Sequence, residues 1–207
     1  MLSTTTDPDP HRYRKLAPAP PEGPLDLDRM LPGSGDIELE IGYGHGRFLI
    51  ERAAAFPATR VVGVEVKRKW AFLVADRCAR RGLANATAWG ADVRGVLPRI
   101  EPGSIARVFM CFPDPWWKKR HLKRSLVGDT LLDEIARVLR PGGEFFVQTD
   151  VEERAVLHIE AVARHADFTL GGDAGYLAQN PYGARSNREV RAEEDGLPVY
   201  RTLALRG

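Results

Sequence analysis

The chain has 207 residues, which is long enough for one sizeable α/β domain and too short for two full ones. Its 30 lysines and arginines nearly balance its 28 aspartates and glutamates, so only local clusters of charge, and not the total, can argue for a nucleic-acid partner. Cys78 and Cys111 lie inside apolar segments, which argues against a disulfide scaffold. No apolar run is long enough to span a bilayer, which argues against a membrane partner. Together these features predict a cytoplasmic protein.

The amino-terminal segment, residues 1–24, is rich in Pro, Thr and Asp and has little apolar area to offset the entropy of ordering. We therefore expect a flexible, basic, Pro-rich arm, followed by a single domain over residues 25–207. The basic patch from His11 to Lys15 fits contact with a phosphate backbone. A merely solubilising tail fits the same composition.

The first predicted strand, residues 36–41, runs into a glycine turn and then into a helix. The turn has the spacing G-x-G-x-G, with Gly42, Gly44 and Gly46, and such a turn lets a ligand approach the backbone closely. Arg47 stands where a dinucleotide fingerprint has its third glycine, which favours an adenosine ligand without a pyrophosphate. A tight connection that binds no ligand is the alternative.

Two further predicted strands are followed by acids. The strand over residues 61–64 ends at Glu65, a carboxylate placed to accept hydrogen bonds from the ribose hydroxyls of a nucleoside. After a helix over residues 67–81, a third strand at 86–89 precedes Asp92. Asp92 is predicted either to accept from an adenine amino group or to cap the next helix.

The stretch CFPDPWWKKRHLKRS, residues 111–125, carries the most distinctive chemistry and follows an apolar strand over residues 105–112. Pro113 and Pro115 restrict the backbone on both sides of Asp114, so we expect this acid in a preset turn at the same edge of the sheet. A dense basic run follows, which comprises Lys118, Lys119, Arg120, His121, Lys123 and Arg124. This run is either a docking site for a polyanion or a solvated face of the protein.

The remaining predicted elements are two helices and two strands, over residues 129–140, 144–148, 151–166 and 199–205. The strand at 144–148 delivers Asp150 to the ligand edge, and the strand at 199–205 is expected at the far side of the sheet. The segment 173–198 has few apolar residues, which predicts a surface loop with a function.

Several kinds of chemistry have no support in the sequence. No metal-ligand spacing occurs among the five histidines, which are His11, His45, His121, His158 and His165, so no metal is expected. The sequence also lacks the phosphate loop of nucleotide triphosphatases and the nucleophile elbow of hydrolases, which argues against both classes.

Five segments carry a family likeness: ELEIGYGHG at 38–46, GVEVKRKW at 63–70, FPDPWWKKRHLKRSL at 112–126, RPGGEFFVQTD at 140–150 and SNRE at 186–189. In this order, and over roughly residues 35–207, they resemble the tRNA (guanine-N7)-methyltransferase family. The FPDPW element with its basic residues is specific to that family, whereas most S-adenosylmethionine enzymes share the glycine turn. The resemblance implies a Rossmann-like class I methyltransferase domain, an α/β fold whose mostly parallel seven-stranded sheet has helices on both faces.

The resemblance also implies an activity, the transfer of a methyl group from S-adenosylmethionine to N7 of a guanine in the variable region of tRNA. The residues implied as cofactor-binding are Glu40, Gly42, Gly44, Gly46, Glu65, Asp92 and Asp114. Those implied as substrate-binding are Lys118, Asp150, Ser186 and Glu189, and those implied as RNA-binding are Lys119, Arg120, His121, Lys123 and Arg124. Asp114 is the catalytic candidate, as an orienting acceptor, because guanine N7 has a free lone pair and needs no base.

One segment departs from the family pattern. The family's T-K-F-E appears as Ser186-Asn187-Arg188-Glu189, which keeps a hydroxyl and the acid but loses the lysine and the aromatic ring. The alternatives are therefore a non-catalytic RNA-binding relative, a methyltransferase with altered specificity or another RNA substrate, and an enzyme acting on a small molecule. A monomer and a homodimer fit the sequence equally.

Overall fold

The computed structural model describes residues 16–113 and 129–207, without the side chain of Asp129. The strands are β1 (Ile37–Ile41), β2 (Arg60–Glu65), β3 (Ala86–Gly90), β4 (Ile105–Cys111), β5 (Leu139–Thr149), β6 (Phe168–Leu170) and β7 (Tyr200–Arg206). The α-helices are α1 (Leu27–Met30), α2 (Arg47–Ala55), α3 (Arg68–Arg80), α4 (Val93–Val96), α5 (Asp129–Val138), α6 (Glu152–Arg164) and α7 (Asn187–Glu194), and a 3-10 turn follows α4. None of the helices in the described ranges is long and apolar enough to cross a membrane.

The strands form one sheet in the order β3-β2-β1-β4-β5-β7-β6. Strands β1 to β5 are parallel to one another, and β7 runs antiparallel to both β5 and β6. The chain reverses its direction of winding between β1 and β4, and open α/β sheets bind ligands beyond the carboxyl ends of the strands at such a switch point. The predicted α/β fold, with a mostly parallel seven-stranded sheet, is confirmed.

Helices cover both faces of the sheet, and strand β4 in its centre buries apolar residues on both sides. Along β4, Val108 and Met110 pack into one cluster with α4, α5 and α6, whereas Phe109 and Cys111 face the opposite cluster. On that opposite face lie α2, α3 and the segment that leads to α7. Both cysteines are buried and free, as the sequence predicts.

The predicted strands and helices up to β4 are confirmed to within a residue or two, whereas β5 is longer than predicted. The expected helix over 129–140 ends at Val138, and β5 begins at Leu139 rather than at Glu144. The register between β4 and β5 shifts at this point, because Ile105 pairs with Leu139 and Arg107 already pairs with Glu144. The Pro141-Gly142-Gly143 sequence thus lies at an irregularity in the pairing near the start of the strand.

Two expectations for the last quarter of the chain were wrong. The strand predicted at 199–205 does not lie at the far side of the sheet, because β6, which was not predicted, pairs with its outer edge. The expected surface loop over 173–198 contains α7 and buries Tyr182 and Glu189. Three residues are too few to give β6 a clear pattern in the sequence, and the buried residues of α7 are polar or small.

The described part of the amino-terminal segment contacts the domain. Ala17 is buried, and the backbone N–H of Gly90 donates to the carbonyl of Pro18 at 2.7 Å. Leu25 is fully buried and its N–H donates to the carbonyl of Arg99 at 2.7 Å. The boundary between residues 24 and 25 stays a prediction, and the segment 16–24 is attached to the carboxyl end of β3.

Candidate functional site

The glycine turn between β1 and α2 adopts a backbone that other residues rarely tolerate. Gly42, Gly44 and Gly46 have φ angles of +73°, +49° and +72°. A Cβ atom at Gly42 or Gly44 would meet nothing within 4 Å, so the space beside both is open to a ligand. At Gly46 it would lie 2.6 Å from a methyl carbon of Val74. The third glycine therefore lets α2 pack against α3, and the first two leave room for a bound group.

Glu65 lies at the carboxyl end of β2 and connects that strand to the glycine turn. One carboxylate oxygen accepts from the N–H of Gly44 at 3.0 Å, and the other accepts from the N–H of Lys67 at 2.8 Å. The side chain is largely buried, and each oxygen retains a lone pair beyond the one used. The sequence-predicted ribose acceptor thus stands beside the turn, as expected for a nucleoside site.

Among the predicted cofactor acids that the structure describes, Glu40 is the most buried, with 1% of its surface exposed. Its Oε2 atom is buried without a hydrogen-bond partner among the described residues. Burial raises the pKa of this carboxyl to about 8, the backbone N–H of Leu49 lowers it, and the charge of Glu65 raises it further. A buried acid with an unused oxygen is costly unless a donor or a cation arrives.

Asp92 caps α4, which is the alternative role that the sequence left open. Its Oδ1 accepts from the backbone N–H of Arg94 at 3.0 Å, and the Arg94 guanidinium pairs with Oδ2 at 2.5 Å. The hydrogen bond from the Arg94 side chain lowers the pKa of Asp92 despite partial burial. The side chain remains 45% exposed, so its carboxylate is accessible at the carboxyl end of β3. A contact with adenine stays a prediction.

Asp150 follows β5 and pairs with an arginine that the sequence did not mark as functional. The Nη2 and Nε atoms of Arg188 lie 2.8 and 2.9 Å from Oδ2 of Asp150. The Arg188 guanidinium carbon also lies 6.0 Å from the ring centre of Phe112. Phe112 has a φ angle of +52°, which is rare for a bulky residue and typical of functional sites. These three residues meet where β4 and β5 end.

Ser186 and Glu189 form a capping box at the start of α7. The Ser186 hydroxyl accepts from the Glu189 N–H at 3.1 Å, and the Glu189 carboxylate accepts from the Ser186 N–H at 3.4 Å. Glu189 has no exposed surface and also accepts from Gln148 at 2.9 Å, Asn180 at 3.1 Å and Arg201 at 3.0 Å. Both side chains thus hold α7 onto the sheet, and their contact with a substrate stays a prediction.

Gln148 is a candidate site residue that the sequence did not indicate. It is fully buried at the carboxyl end of β5, donates to Glu189, and leaves its Oε1 atom without a partner among the described residues. A polar amide at the end of the apolar run Phe145-Phe146-Val147 was the available signal. With Glu40, it gives two unused buried oxygens on the same face of the sheet.

The remaining predicted site residues lie outside the described ranges. They are Asp114, Lys118, Lys119, Arg120, His121, Lys123 and Arg124. The described chain stops before them at Pro113, directly after Phe112, and resumes at the start of α5. Within the described ranges, no group of three or more acidic, histidine or cysteine side chains could hold a metal ion.

The described site favours binding and orientation over covalent chemistry. Burial, followed by the charges of Glu40 and Glu189, raises the pKa of the Cys111 thiol, so this cysteine stays protonated and is not an activated nucleophile. Burial likewise raises the pKa of Tyr43, whose hydroxyl donates to the carbonyl of Trp89 at 3.1 Å. The described groups at the carboxyl edge of the sheet are carboxylates, open backbone and unused hydrogen-bond acceptors.

Solved structures with the same fold include methyltransferases. The 16S rRNA methyltransferase KamB aligns with a TM-score of 0.64 at 16% identity, over 90% of this chain and 95% of its own. TrmN from Thermus thermophilus aligns with a TM-score of 0.60 at 21% identity, over 95% of this chain and 53% of its own. At such identities the likeness concerns the fold alone. The fold, with its glycine turn and acids, is that of the class I methyltransferases.

Sequence comparisons narrow the class. The family described as "Putative methyltransferase" matches residues 34–202. The tRNA (guanine-N(7)-)-methyltransferase of Myxococcus xanthus (strain DK1622) is 35% identical over 89% of this chain and 90% of its own length. The tRNA (guanine-N(7)-)-methyltransferase of Anaeromyxobacter dehalogenans (strain 2CP-C) is 41% identical over 81% of this chain and 84% of its own length. The chain belongs to the tRNA (guanine-N(7)-)-methyltransferase family.

Proposed function

We propose that this chain transfers a methyl group from S-adenosylmethionine to N7 of a guanine in tRNA. Membership of the family supports the reaction and the substrate. The observation that carries the proposal is the buried, unused oxygen of Glu40 beside an open glycine turn. Such an arrangement calls for a ligand that brings positive charge and hydrogen-bond donors to this edge.

The described residues fit S-adenosylmethionine. Its ammonium and sulfonium charges suit the uncompensated carboxyl of Glu40, and its ribose hydroxyls are donors for Glu65. Gly42 and Gly44 present open backbone to the cofactor, and Asp92 is accessible at the end of the neighbouring strand. When bound, the cofactor supplies an electrophilic methyl group, which the in-plane lone pair of guanine N7 takes without prior loss of a proton.

The protein's contribution is therefore orientation and charge, because no base has to remove a proton before the attack. Holding two reactants in line is worth on the order of 7–11 kcal/mol of barrier. Asp114 accepts from the donors of the guanine or of the cofactor, and its negative charge tolerates the cationic product. Lys118 holds the guanine O6 or a phosphate, and Asp150 orients a ligand at the end of β5.

The basic run binds the RNA. Lys119, Arg120, Lys123 and Arg124 neutralise phosphates of the folded tRNA, with His121 between them, so that affinity for tRNA falls steeply with salt concentration. Because tRNA is the substrate, we place the protein in the cytoplasm. Ser186 and Glu189 shape the substrate side of the pocket through the position of α7.

Methyl transfer to tRNA from cells that lack this gene tests the proposal. Purified protein is incubated with that tRNA and cofactor labelled in its methyl group, and the nucleosides are then separated and identified. The proposal predicts labelled 7-methylguanosine as the product and its loss in the Asp114→Asn variant. Binding of the tRNA without labelled product would instead favour the non-catalytic relative. Label in another nucleoside would favour a methyltransferase of different specificity.

A further inference from the structure

The cations of the described chain are mostly paired with acids, and two neighbours at the ligand edge are not. Most arginines form an ion pair, as Arg52 does with Glu38 and Arg94 with Asp92. Lys67 and Arg68 form none with any residue in 16–113 or 129–207, and both are exposed. Two adjacent positive charges are thus left to solvent at one position on the surface.

The backbone holds this pair of charges next to the cofactor acid. Lys67 is two residues beyond Glu65, and its N–H donates to the Glu65 carboxylate at 2.8 Å. The same carboxylate accepts from Gly44, so the pair is tied to the glycine turn. Trp70, one turn further along α3, lies against His45 of that turn with a ring separation of 3.9 Å. The two cations are therefore fixed at the carboxyl edge of the sheet, where β2 ends.

Stability of the fold does not explain charges of this sign at this place. The first turn of α3 holds no acidic residue that could compensate them. Cations near the amino end of a helix oppose the helix dipole, so they disfavour the folded state. Both side chains are also exposed, which leaves them little apolar packing to contribute. An anionic partner bound at the ligand edge would interact favourably with both cations, so that charges that destabilise the free protein would stabilise the complex.

We propose that Lys67 and Arg68 contact the phosphate backbone of the tRNA, in addition to the basic run at 118–124. The inference rests on the proposed function, since it is the substrate RNA that brings the phosphates. An RNA bound at the carboxyl edge of the sheet extends beyond a single nucleotide. Lys67 and Arg68, at the end of β2, contact its phosphates on the side of the sheet away from β5. Phosphate contacts from both groups of cations would fix the orientation of the RNA as well as its affinity.

The test compares two double variants that remove equal charge from the same helix. Lys67→Gln/Arg68→Gln removes the proposed surface. Arg77→Gln/Arg81→Gln removes two cations at the other end of α3, which also form no ion pair with the described residues. Equilibrium binding of tRNA is measured from about 50 to about 300 mM KCl, since each phosphate contact contributes about 0.7–0.9 to the slope of log affinity against log salt. Cofactor affinity and melting temperature are measured for every protein.

The proposal predicts a slope that is shallower by about 1.4–1.8 for Lys67→Gln/Arg68→Gln, with unchanged cofactor affinity and a melting temperature equal to or slightly above that of the wild type. The charge-preserving variant Lys67→Arg/Arg68→Lys keeps the wild-type slope, and the control at the far end of α3 changes it by less than half as much. Equal slopes for both neutralised variants, or a wild-type slope in the first, would overturn the inference. A wild-type protein that does not bind tRNA at all would overturn the proposed function itself.

Discussion

The carboxylate of Glu65 accepts a hydrogen bond from the N–H of Gly44 at 3.0 Å and thereby joins the end of β2 to the glycine turn. This contact places a negative charge beside the open backbone, where the ribose of a nucleoside cofactor needs an acceptor. The Glu65→Gln variant keeps an acceptor oxygen but loses the charge. Because hydrogen bonds to charged groups contribute about 1.5–3 kcal/mol, we expect cofactor affinity to fall roughly 10- to 150-fold.

Isothermal titration with the cofactor product, S-adenosylhomocysteine, measures this loss. Asp76→Asn is the control, because Asp76 is an exposed acid on α3 that pairs with Arg80. It is expected to bind the product as the wild type does. Wild-type affinity in Glu65→Gln would show that Glu65 serves only to hold the turn.

The arginine at the end of β5 gives a second prediction. Arg188 pairs with Asp150 while its side chain is half exposed, so the Arg188→Ala variant should lose less than about 1 kcal/mol of stability. If the pair orients Asp150 toward the RNA, the KM for tRNA rises several-fold while cofactor affinity is unchanged. Steady-state kinetics with tRNA as the varied substrate provide the measurement.

Two further variants distinguish whether Arg188 orients Asp150 or contacts the RNA through its own charge. Asp150→Asn combined with Arg188→Ala should have the same KM as Asp150→Asn alone, since Arg188 acts through that carboxylate. Arg191→Ala removes an exposed cation of the same helix, paired with Asp195, and should leave the KM unchanged. Additive effects in the double variant would mean that Arg188 contacts the RNA independently of Asp150.

The buried carboxylate of Glu189 predicts a stability effect. It compensates Arg201, whose side chain is 8% exposed, and it accepts hydrogen bonds from Gln148 and Asn180. The Glu189→Ala variant leaves that buried arginine with only its longer ion pair to Glu193, at 3.4 Å, so we expect a loss of at most about 3–5 kcal/mol in the free energy of unfolding.

Chemical denaturation measures this change, and Glu194→Gln is the control. Glu194 is exposed on the same helix, and substitutions at such positions usually change stability by less than about 0.5 kcal/mol. A Glu189→Ala protein as stable as the control would mean that the hydrogen bonds of this carboxylate do not hold α7 in place.

Glu40 predicts a dependence of stability on pH. Because burial raises the pKa of this carboxyl from about 4.5 to about 8, the folded state favours the protonated form. Its contribution to stability is full below the unfolded pKa of about 4.5 and is lost as the pH rises through about 8. The neutral Glu40→Gln variant has no such dependence.

The melting temperatures of the cofactor-free proteins, measured from pH 5 to pH 9, test this assignment. The melting temperature of Glu40→Gln minus that of the wild type should become more positive as the pH rises. The corresponding change in the free energy of unfolding is on the order of a few kcal/mol at most. A constant difference over that range would show that Glu40 is already ionised near pH 5 and has a cation or donor beside it.

Much of the site was predictable because acids that follow apolar strands mark the carboxyl edge of a parallel sheet. Glu65 and Asp150 were found in this way from their positions alone. The pairing of Asp150 with Arg188 was not, since the two residues are 38 positions apart and their contact depends on how α7 docks. Gln148 was missed for a similar reason, because its partner Glu189 lies in a segment with few apolar residues.

The fold shows the same division between local and long-range information. Strands β1 to β4 have apolar runs long enough to be recognised, and the sequence places them to within a residue or two. The three-residue β6 has no such run, and its pairing outside β7 depends on contacts with the carboxyl-terminal strand. The capping box of Ser186 and Glu189 was a local signal for α7 that the polar composition of the segment concealed.

The most direct test of the central claim uses two transcripts of one tRNA that differ only at the atom to be methylated. One contains guanine and the other contains 7-deazaguanine, in which a carbon replaces N7. With the purified protein and the cofactor, mass spectrometry of the digested RNA should find one 7-methylguanosine in the first transcript and no methylation of the second. Methylation of the 7-deazaguanine transcript, or none of the guanine transcript under conditions where both are bound, would contradict the account.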